Sequence, residues 1–274
     1  MKILIACDME GITGVTVSDH VNPSTAEYQR FRRLMTGDVN AAIAGAFEAG
    51  GDEVVVTDGH WFGTNILVEE LDPRARLNTG SPSPLAMVQG VDAGVDAAFF
   101  IGYHARAGSQ NAILDHTWSS VKVANLWLND LLVGETGLNS SLCGYFNVPV
   151  LLVTGDQTVS EEARGWLTDV TTVAVKQASG RHAAEVLAPD VTAPLIHSAA
   201  KVAIERFKAQ GLPRPVALLT PVKVTIEFIY VDMADQAALL PKAVRLDGRR
   251  IEVTADTMLE AYLAFRAAVT LASR

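Results

Sequence analysis

The sequence predicts an α/β protein: a mostly parallel central sheet flanked by helices, with a smaller C-terminal α+β domain. Three observations carry this. A strand, a long helix and a second strand follow one another within the first 58 residues, a βαβ unit whose two strands must be parallel. Short apolar runs that end in polar residues recur at Ala97–Tyr103, Val148–Thr154 and Val170–Lys176. After Ala188 the texture changes to a long helix, β-rich runs and a hairpin. We therefore expect an α/β domain over residues 1–187 and a smaller α+β domain over 188–274.

The opening strand is Ile3 to Ala6, closed by Asp8, with Glu10 two residues further on. Gly11 and Gly14 let the backbone turn away from it. A polar loop, Val17 to Ser24, leads to a helical pattern from Ala26 to Ala49, and Gly50-Gly51 stops it. Glu53 to Thr57 is a buried strand followed by Asp58-Gly59-His60. Asn65 to Leu71 reads as a short helix or turn, Arg76 to Thr79 as a brief strand, and Pro84 to Gly90 as a short glycine-capped helix. His104 closes the strand Ala97 to Tyr103. A loop then leads through Leu114-Asp115-His116 into an alternating hairpin, Val121 to Val133, which turns near Asn129-Asp130. Gly134-Glu135 opens a helix to Phe146, and Glu161 to Leu167 is helical. In the second part, Pro194 to Gln210 is a helix and Leu212 to Pro215 a proline-bearing link. Val216 to Ile229 is β-rich but broken by Pro221, and Ala234 to Leu240 is a short helix. Ala243 to Val253 is a hairpin turning at Asp247-Gly248, and Ala255 to Leu271 is an amphipathic helix.

Composition limits the function. With 274 residues, 49% hydrophobic and 19% charged, the chain can bury a sizeable core and is not disordered. The net charge of −9 and the absence of a long basic run argue against a nucleic-acid or anionic-membrane partner. Cys7 and Cys143 sit in apolar surroundings and give no disulfide framework. The N-terminus, one lysine and a short apolar run followed by acids, is not a signal peptide, and no apolar stretch is long enough to span a membrane. A cytoplasmic location is the expectation.

The polar residues matter by where they fall. Asp8 and Glu10, His60 and His104 each close a different strand, and ligand sites in parallel sheets form beyond the carboxyl ends of strands. Asp8 and Glu10 share a face and repel unless a cation or proton lies between them. Glu135 at a helix start adds a third carboxylate. Two histidines and three carboxylates suit two zinc-like ions, with one carboxylate bridging, for metal-assisted hydrolysis. Singly, each has a plainer role: Asp8 as a turn cap, Glu10 as a solvated acid, the histidines as hydrogen-bonded edge residues, Glu135 as an acid facing the helix dipole. His116 reaches the same edge either as a sixth ligand, as a catalytic nucleophile or general acid/base, which we favour, or merely as a partner of Asp115. His20, His182 and His197 lack carboxylate partners in sequence and read as surface or packing residues. There is no G-x-S-x-G elbow and no complete G-x-G-x-x-G.

Several of these segments, in order, resemble a known family. They are D-M-E-G-I-T-G (Asp8–Gly14), D-G-H (Asp58–His60), G-Y-H-A-R-A (Gly102–Ala107), H-T at His116 and V-G-E-T-G-L-N (Val133–Asn139). The likeness continues through P-V-L-L-V-T-G-D (Pro149–Asp156), V-A-V-K-Q (Val173–Gln177) and M-L-E-A-Y (Met258–Tyr262). The chain is similar to the zinc-dependent D-aminopeptidases of peptidase family M55, often labelled dipeptide-transport protein A. The resemblance implies two zinc ions per subunit, Asp8 bridging them, with Glu10, His60, His104 and Glu135 completing the ligands and His116 catalytic. It also implies removal of N-terminal D-residues, D-Ala favoured, from short peptides and amides, by a ring-like homo-oligomer, a decamer of two stacked pentamers. Two positions depart from the pattern: Cys7 and Gly59 stand where the family often has serine, each beside an expected ligand. The rival readings are a peptide-binding transport component without catalysis and another two-metal hydrolase such as a phosphoesterase.

Overall fold

Alternation along the first strand sets the architecture. In β1 (Lys2–Cys7) the side chains of Ile3, Ile5 and Cys7 enter one apolar cluster, while Leu4 and Ala6 enter another on the opposite face. A strand buried on both faces belongs inside a covered parallel sheet. The structure, a computed structural model, describes residues 1–211 and 213–272. Leu212, the first residue of the expected proline-bearing link, lies outside the described residues.

The first sheet has seven strands. β2 (Glu53–Asp58) and β4 (Ala97–Ile101) flank β1; β3 (Ala75–Asn78) lies outside β2, and β7 (Val150–Asp156), β8 (Thr171–Gly180) and β9 (Ala183–Val186) continue beyond β4. Every pairing is parallel except that of β9 with β8. Two long helices, α1 (Tyr28–Glu48) and α4 (Pro189–Gln210), bury Phe31, Val39, Ile196 and Ile204 against one face. The other face packs on α2 (Glu135–Tyr145), α3 (Gln157–Trp166) and a second, antiparallel sheet.

The second sheet runs β11 (Val244–Arg245), β12 (Arg250–Ala255), β10 (Val222–Phe228), β5 (Val123–Leu128), β6 (Leu131–Val133). Short α5 (Val231–Ala237) and C-terminal α6 (Met258–Leu271) complete its core. Thr257 caps α6 by accepting from the Glu260 amide, and Asp156 caps α3 by accepting from the Val159 amide. That cap starts α3 at Gln157, four residues before the expected start at Glu161. Helix α4 also begins early, because Pro189 takes the first-turn position that the pattern gave to Pro194.

Residue 187 does not divide the two sheets. β5 and β6 precede it and pair with strands that follow it, while α4 follows it and covers the first sheet. The consequence for the site is direct: α2, which follows β6 of the second sheet, begins at Glu135, 3.3 Å from His104 at the carboxyl end of β4.

Candidate metal centre

Three adjacent strands end at the same height. Cys7 is in register with Asp58 on one side and with Ile101 on the other, so the residues after each strand emerge at one edge. The Asp8 amide donates to the Ile101 carbonyl at 2.9 Å and the Gly11 amide to that of Gly102 at 2.8 Å. This pulls the turn against the end of β4. A Cβ on Gly11 would lie 1.9 Å from the Tyr103 carbonyl oxygen, so only glycine passes there.

Asp8, Glu10, His60, His104 and Glu135 are all buried, and the fold brings them together. His60 Nδ1 stands 3.3 Å from Asp8 Oδ1 and 3.1 Å from Glu10 Oε2. His104 Nε2 stands 3.3 Å from Asp8 Oδ2 and 3.3 Å from Glu135 Oε1. The two oxygens of Asp8 therefore face different groups. His116 joins from the side: its ring stacks on His104 at 4.0 Å, and its Nε2 is 3.8 Å from Glu135 Oε1.

The three imidazoles share one design. His60 Nε2–H donates to the Val21 carbonyl at 2.8 Å, His104 Nδ1–H to that of Ala105 at 3.0 Å, and His116 Nδ1–H to that of Leu114 at 2.9 Å. Each carbonyl fixes the tautomer and leaves the second nitrogen bare. Bare nitrogens and carboxylate oxygens then face one another with nothing but lone pairs. His104 Nε2 and Glu10 Oε2 are buried without a hydrogen-bond partner. Such an arrangement calls for positive charge. Atoms of Asp8, Glu10 and His104 lie within 4.8 Å of one another, as do atoms of His104, His116 and Glu135. Mixed nitrogen and oxygen donors of this kind fit zinc or a similar borderline ion.

The electrostatics agree. Burial pushes the His60 and His104 imidazoles down, but Glu10 and Asp8 around the first, and Glu135 and Asp8 around the second, drive both well above the usual range. Burial also disfavours the Asp8 carboxylate, yet the His104 and His60 imidazoles beside it hold it well below the usual range. A cluster that takes up protons so readily will exchange them for a cation.

Supporting residues that the sequence reading passed over hold this cluster in place. Asp58 is buried and accepts from Asn65 N at 2.5 Å, Ile66 N at 2.8 Å and Asn65 Nδ2 at 2.7 Å. Asn65 Nδ2 also donates to the His60 carbonyl at 2.6 Å, fixing the turn that carries the imidazole. Lys176 is buried and donates to the carbonyls of Glu10, Ile12 and Val15 at 2.6, 2.8 and 2.8 Å. A lysine closing an apolar strand was the signal for it. His20, His182 and His197 stay outside the cluster: His20 stacks on Phe31, His182 faces Arg181, and His197 pairs with Glu48. Cys7 is buried, its thiol donating to the Thr57 carbonyl at 3.3 Å. A cavity of about 600 Å³ opens onto Asp8, Glu10, His60, His116 and Glu135, a size suited to a small ligand.

The chain was compared with known proteins. A family model described as Peptidase_M55, D-aminopeptidase, matches residues 1–267. A curated D-aminopeptidase of Bacillus subtilis (strain 168) is 37% identical over 276 residues, covering 100% of this chain and 98% of that protein. A solved structure, described as Zn-dependent D-aminopeptidase DppA from Bacillus subtilis, a self-compartmentalizing protease, superposes with a TM-score of 0.95 at 36% identity. It covers 100% of this chain and 98% of its own. With this fold and this buried donor cluster, the chain belongs to the D-aminopeptidase family Peptidase_M55, a family of metallopeptidases.

Proposed function

We propose that this chain removes N-terminal D-amino acids, D-Ala favoured, from short peptides or amides at a binuclear zinc centre. The observation that supports it most is the shared imidazole design, in which His60 Nδ1 and His104 Nε2 each face one oxygen of Asp8 at 3.3 Å, with Glu10 beside the first nitrogen and Glu135 beside the second. Asp8 would lie between the ions, with Glu10 and His60 on one side and His104 and Glu135 on the other. When bound, the ions supply Lewis acidity and an acidified water at the scissile carbonyl.

The chain's own residues do the rest. Glu10 and Asp58 line the cavity and give the substrate ammonium a negative end to approach. His116 lines the same cavity with Nδ1 committed to the Leu114 carbonyl, so only Nε2 can take a proton. We assign it general acid/base catalysis: Nε2 accepts a proton as water attacks and returns it to the leaving amine. Its stacking on the buried His104 ring holds the imidazole in plane beside the cluster.

Assembly is part of the proposal. The structural neighbour is described as self-compartmentalizing, and this chain exposes large apolar side chains at Phe62, Val68, Leu219 and Leu239. A ring-like decamer of two stacked pentamers, ten chains of 29.3 kDa, is the assembly we assign. No helix among the described residues is long and apolar enough to cross a membrane, and we place the protein in the cytoplasm.

The deciding experiment compares hydrolysis of D-Ala-D-Ala and L-Ala-L-Ala by zinc-loaded and chelator-stripped protein. Cleavage of the D-peptide alone, and only with metal, is the expected result. Cleavage of neither peptide by the loaded protein would rule the assignment out.

A further inference from the structure

The cavity over the candidate metal centre is lined by groups of both signs: Asp8, Glu10 and Glu135, and two arginines, Arg181 and Arg266. The two arginines differ in what already occupies them. Arg181 is largely spent: Nε donates to Asp115 Oδ1 at 2.9 Å, one terminal nitrogen to the Asp115 carbonyl at 3.3 Å, and the other faces His182 at 3.2 Å. Its charge is neutralised by a carboxylate.

Arg266 is not. It projects from α6, is partly buried, and uses a single terminal nitrogen, which donates to the carbonyls of Ser83, at 2.7 Å, and Pro84. Among the described residues no carboxylate pairs with it. Nε and the second terminal nitrogen have no acceptor among the described residues. Those two N–H groups form the fork that a carboxylate accepts in a bidentate manner. The Ser83 and Pro84 carbonyls hold the guanidinium in place, so little side-chain freedom is lost when a ligand arrives. Ser83 itself lines the cavity, which puts the guanidinium at the cavity wall.

Resting on the aminopeptidase reading above, we infer that Arg266 binds the free C-terminal carboxylate of the substrate. The substrate class is then the free short peptide, a zwitterion whose ammonium lies at the acidic groups and whose carboxylate reaches Arg266. A cavity of about 600 Å³ has room for a peptide of a few residues. C-terminal amides, which keep the scissile bond but lose the anion, still meet the acidic groups and leave the fork unpaired.

The test compares D-Ala-D-Ala with its C-terminal amide on the wild-type assembly and on Arg266→Gln and Arg266→Lys. Two readouts are used: turnover by zinc-loaded protein, and binding by titration calorimetry to chelator-stripped protein. For wild type the free peptide should exceed the amide by about ten- to a hundred-fold in kcat/KM, chiefly through KM, and in affinity. Arg266→Gln should erase that ratio by weakening the free peptide and leaving the amide within about two-fold, and Arg266→Lys should restore part of it. An equal loss for both ligands in Arg266→Gln would make the residue a structural tie for the Ser83–Pro84 turn and overturn the inference. Equal handling of peptide and amide by wild type would overturn it too while leaving the D-aminopeptidase assignment standing. Cleavage of neither by the loaded wild type would overturn both.

Discussion

The site has two halves built in opposite ways. The half made by the parallel sheet carries Asp8, Glu10, His60 and His104 on the ends of three neighbouring strands, tied by backbone hydrogen bonds and by the buried Lys176 and Asp58. The half nearer the second sheet carries His116 on a loop and Glu135 on the first turn of α2. That loop holds three non-glycine residues in the left-handed region: Asn111 at φ 51°, Leu114 at φ 52° and Trp118 at φ 65°. Left-handed backbone costs a bulky residue about 1–2 kcal/mol. At Leu114 the turn aims the carbonyl that fixes the His116 tautomer, and the amide of Trp118 donates to Glu135 Oε1 at 2.6 Å. The difference teaches a division of labour. On the proposed reading, rigid strand ends together with Glu135 hold the ions, and a loop kept in an unfavourable conformation by its neighbours presents the proton-transfer group.

The largest effect should come from the residue that both imidazole groups share. Asp8→Asn removes the carboxylate facing His60 and His104 together. Metal content by elemental analysis should fall to near background, and activity should fall by at least about a thousand-fold. Retention of a full complement of ions would break the assignment of Asp8 as the shared ligand.

Next is the loop half. His116→Ala should lower kcat by about 10²- to 10⁴-fold while metal content and the circular dichroism spectrum stay at wild-type levels. Loss of an ion in this variant would move His116 to the metal-holding half and dissolve the distinction between the two.

A smaller effect is expected from Lys176→Met, which leaves three carbonyls of the Glu10–Val15 turn without their donor. Zinc affinity should weaken by about ten- to a hundred-fold, and saturating zinc should bring kcat back to within about three-fold of wild type. A kcat that stays low with both ions bound would show that the turn serves catalysis and not only metal retention.

Much of the strand-end half was legible in the sequence, for a physical reason. Short apolar strands buried on both faces stop where a polar residue must appear, and a parallel sheet gathers those stops at one edge. Asp8, His60 and His104 were readable as strand-ending residues on that ground alone. Glu135 was visible as an acid at a helix start, but nothing local tells that the start of α2 lies against His104. The same non-locality hid the arrangement of the sheets: β5 of the β5–β6 hairpin pairs with β10 across a long sequence separation, so residue 187 marks the limit of neither sheet. Lys176 read as the polar end of a strand and Arg266 as one more residue on the polar side of an amphipathic helix. Their meaning depends on which carbonyls and which cavity they face, and the one-dimensional pattern contains neither.

The smallest effect separates stability from chemistry within the metal-holding half. Asp38, on α1, is buried, accepting from Thr13 N at 2.9 Å and from Thr13 Oγ1 at 2.9 Å; Thr13 Oγ1 also meets Thr192 Oγ1 of α4 at 2.8 Å. Burial raises its carboxyl to about 6, against the opposing hydrogen bonds from Thr13 and the charge of Lys176. The folded state thus binds the proton more tightly than the unfolded chain, whose carboxyl titrates near the ordinary value of about 3.9. Stability from this group is greatest below pH 4, declines as pH rises toward 6, and is constant above that. Asp38→Asn has no such proton. The stability of wild type relative to the variant should therefore fall by about 2 kcal/mol between pH 4 and pH 7, read by urea denaturation at both pH values. Activity at neutral pH should change by less than about two-fold, because Asp38 reaches Thr13 and not the ligands. A flat stability difference would mean that the Thr13 bonds hold the carboxylate ionised throughout. A large loss of activity would mean that the Thr13 turn, three residues beyond Glu10, controls the ligand geometry as closely as Lys176 does.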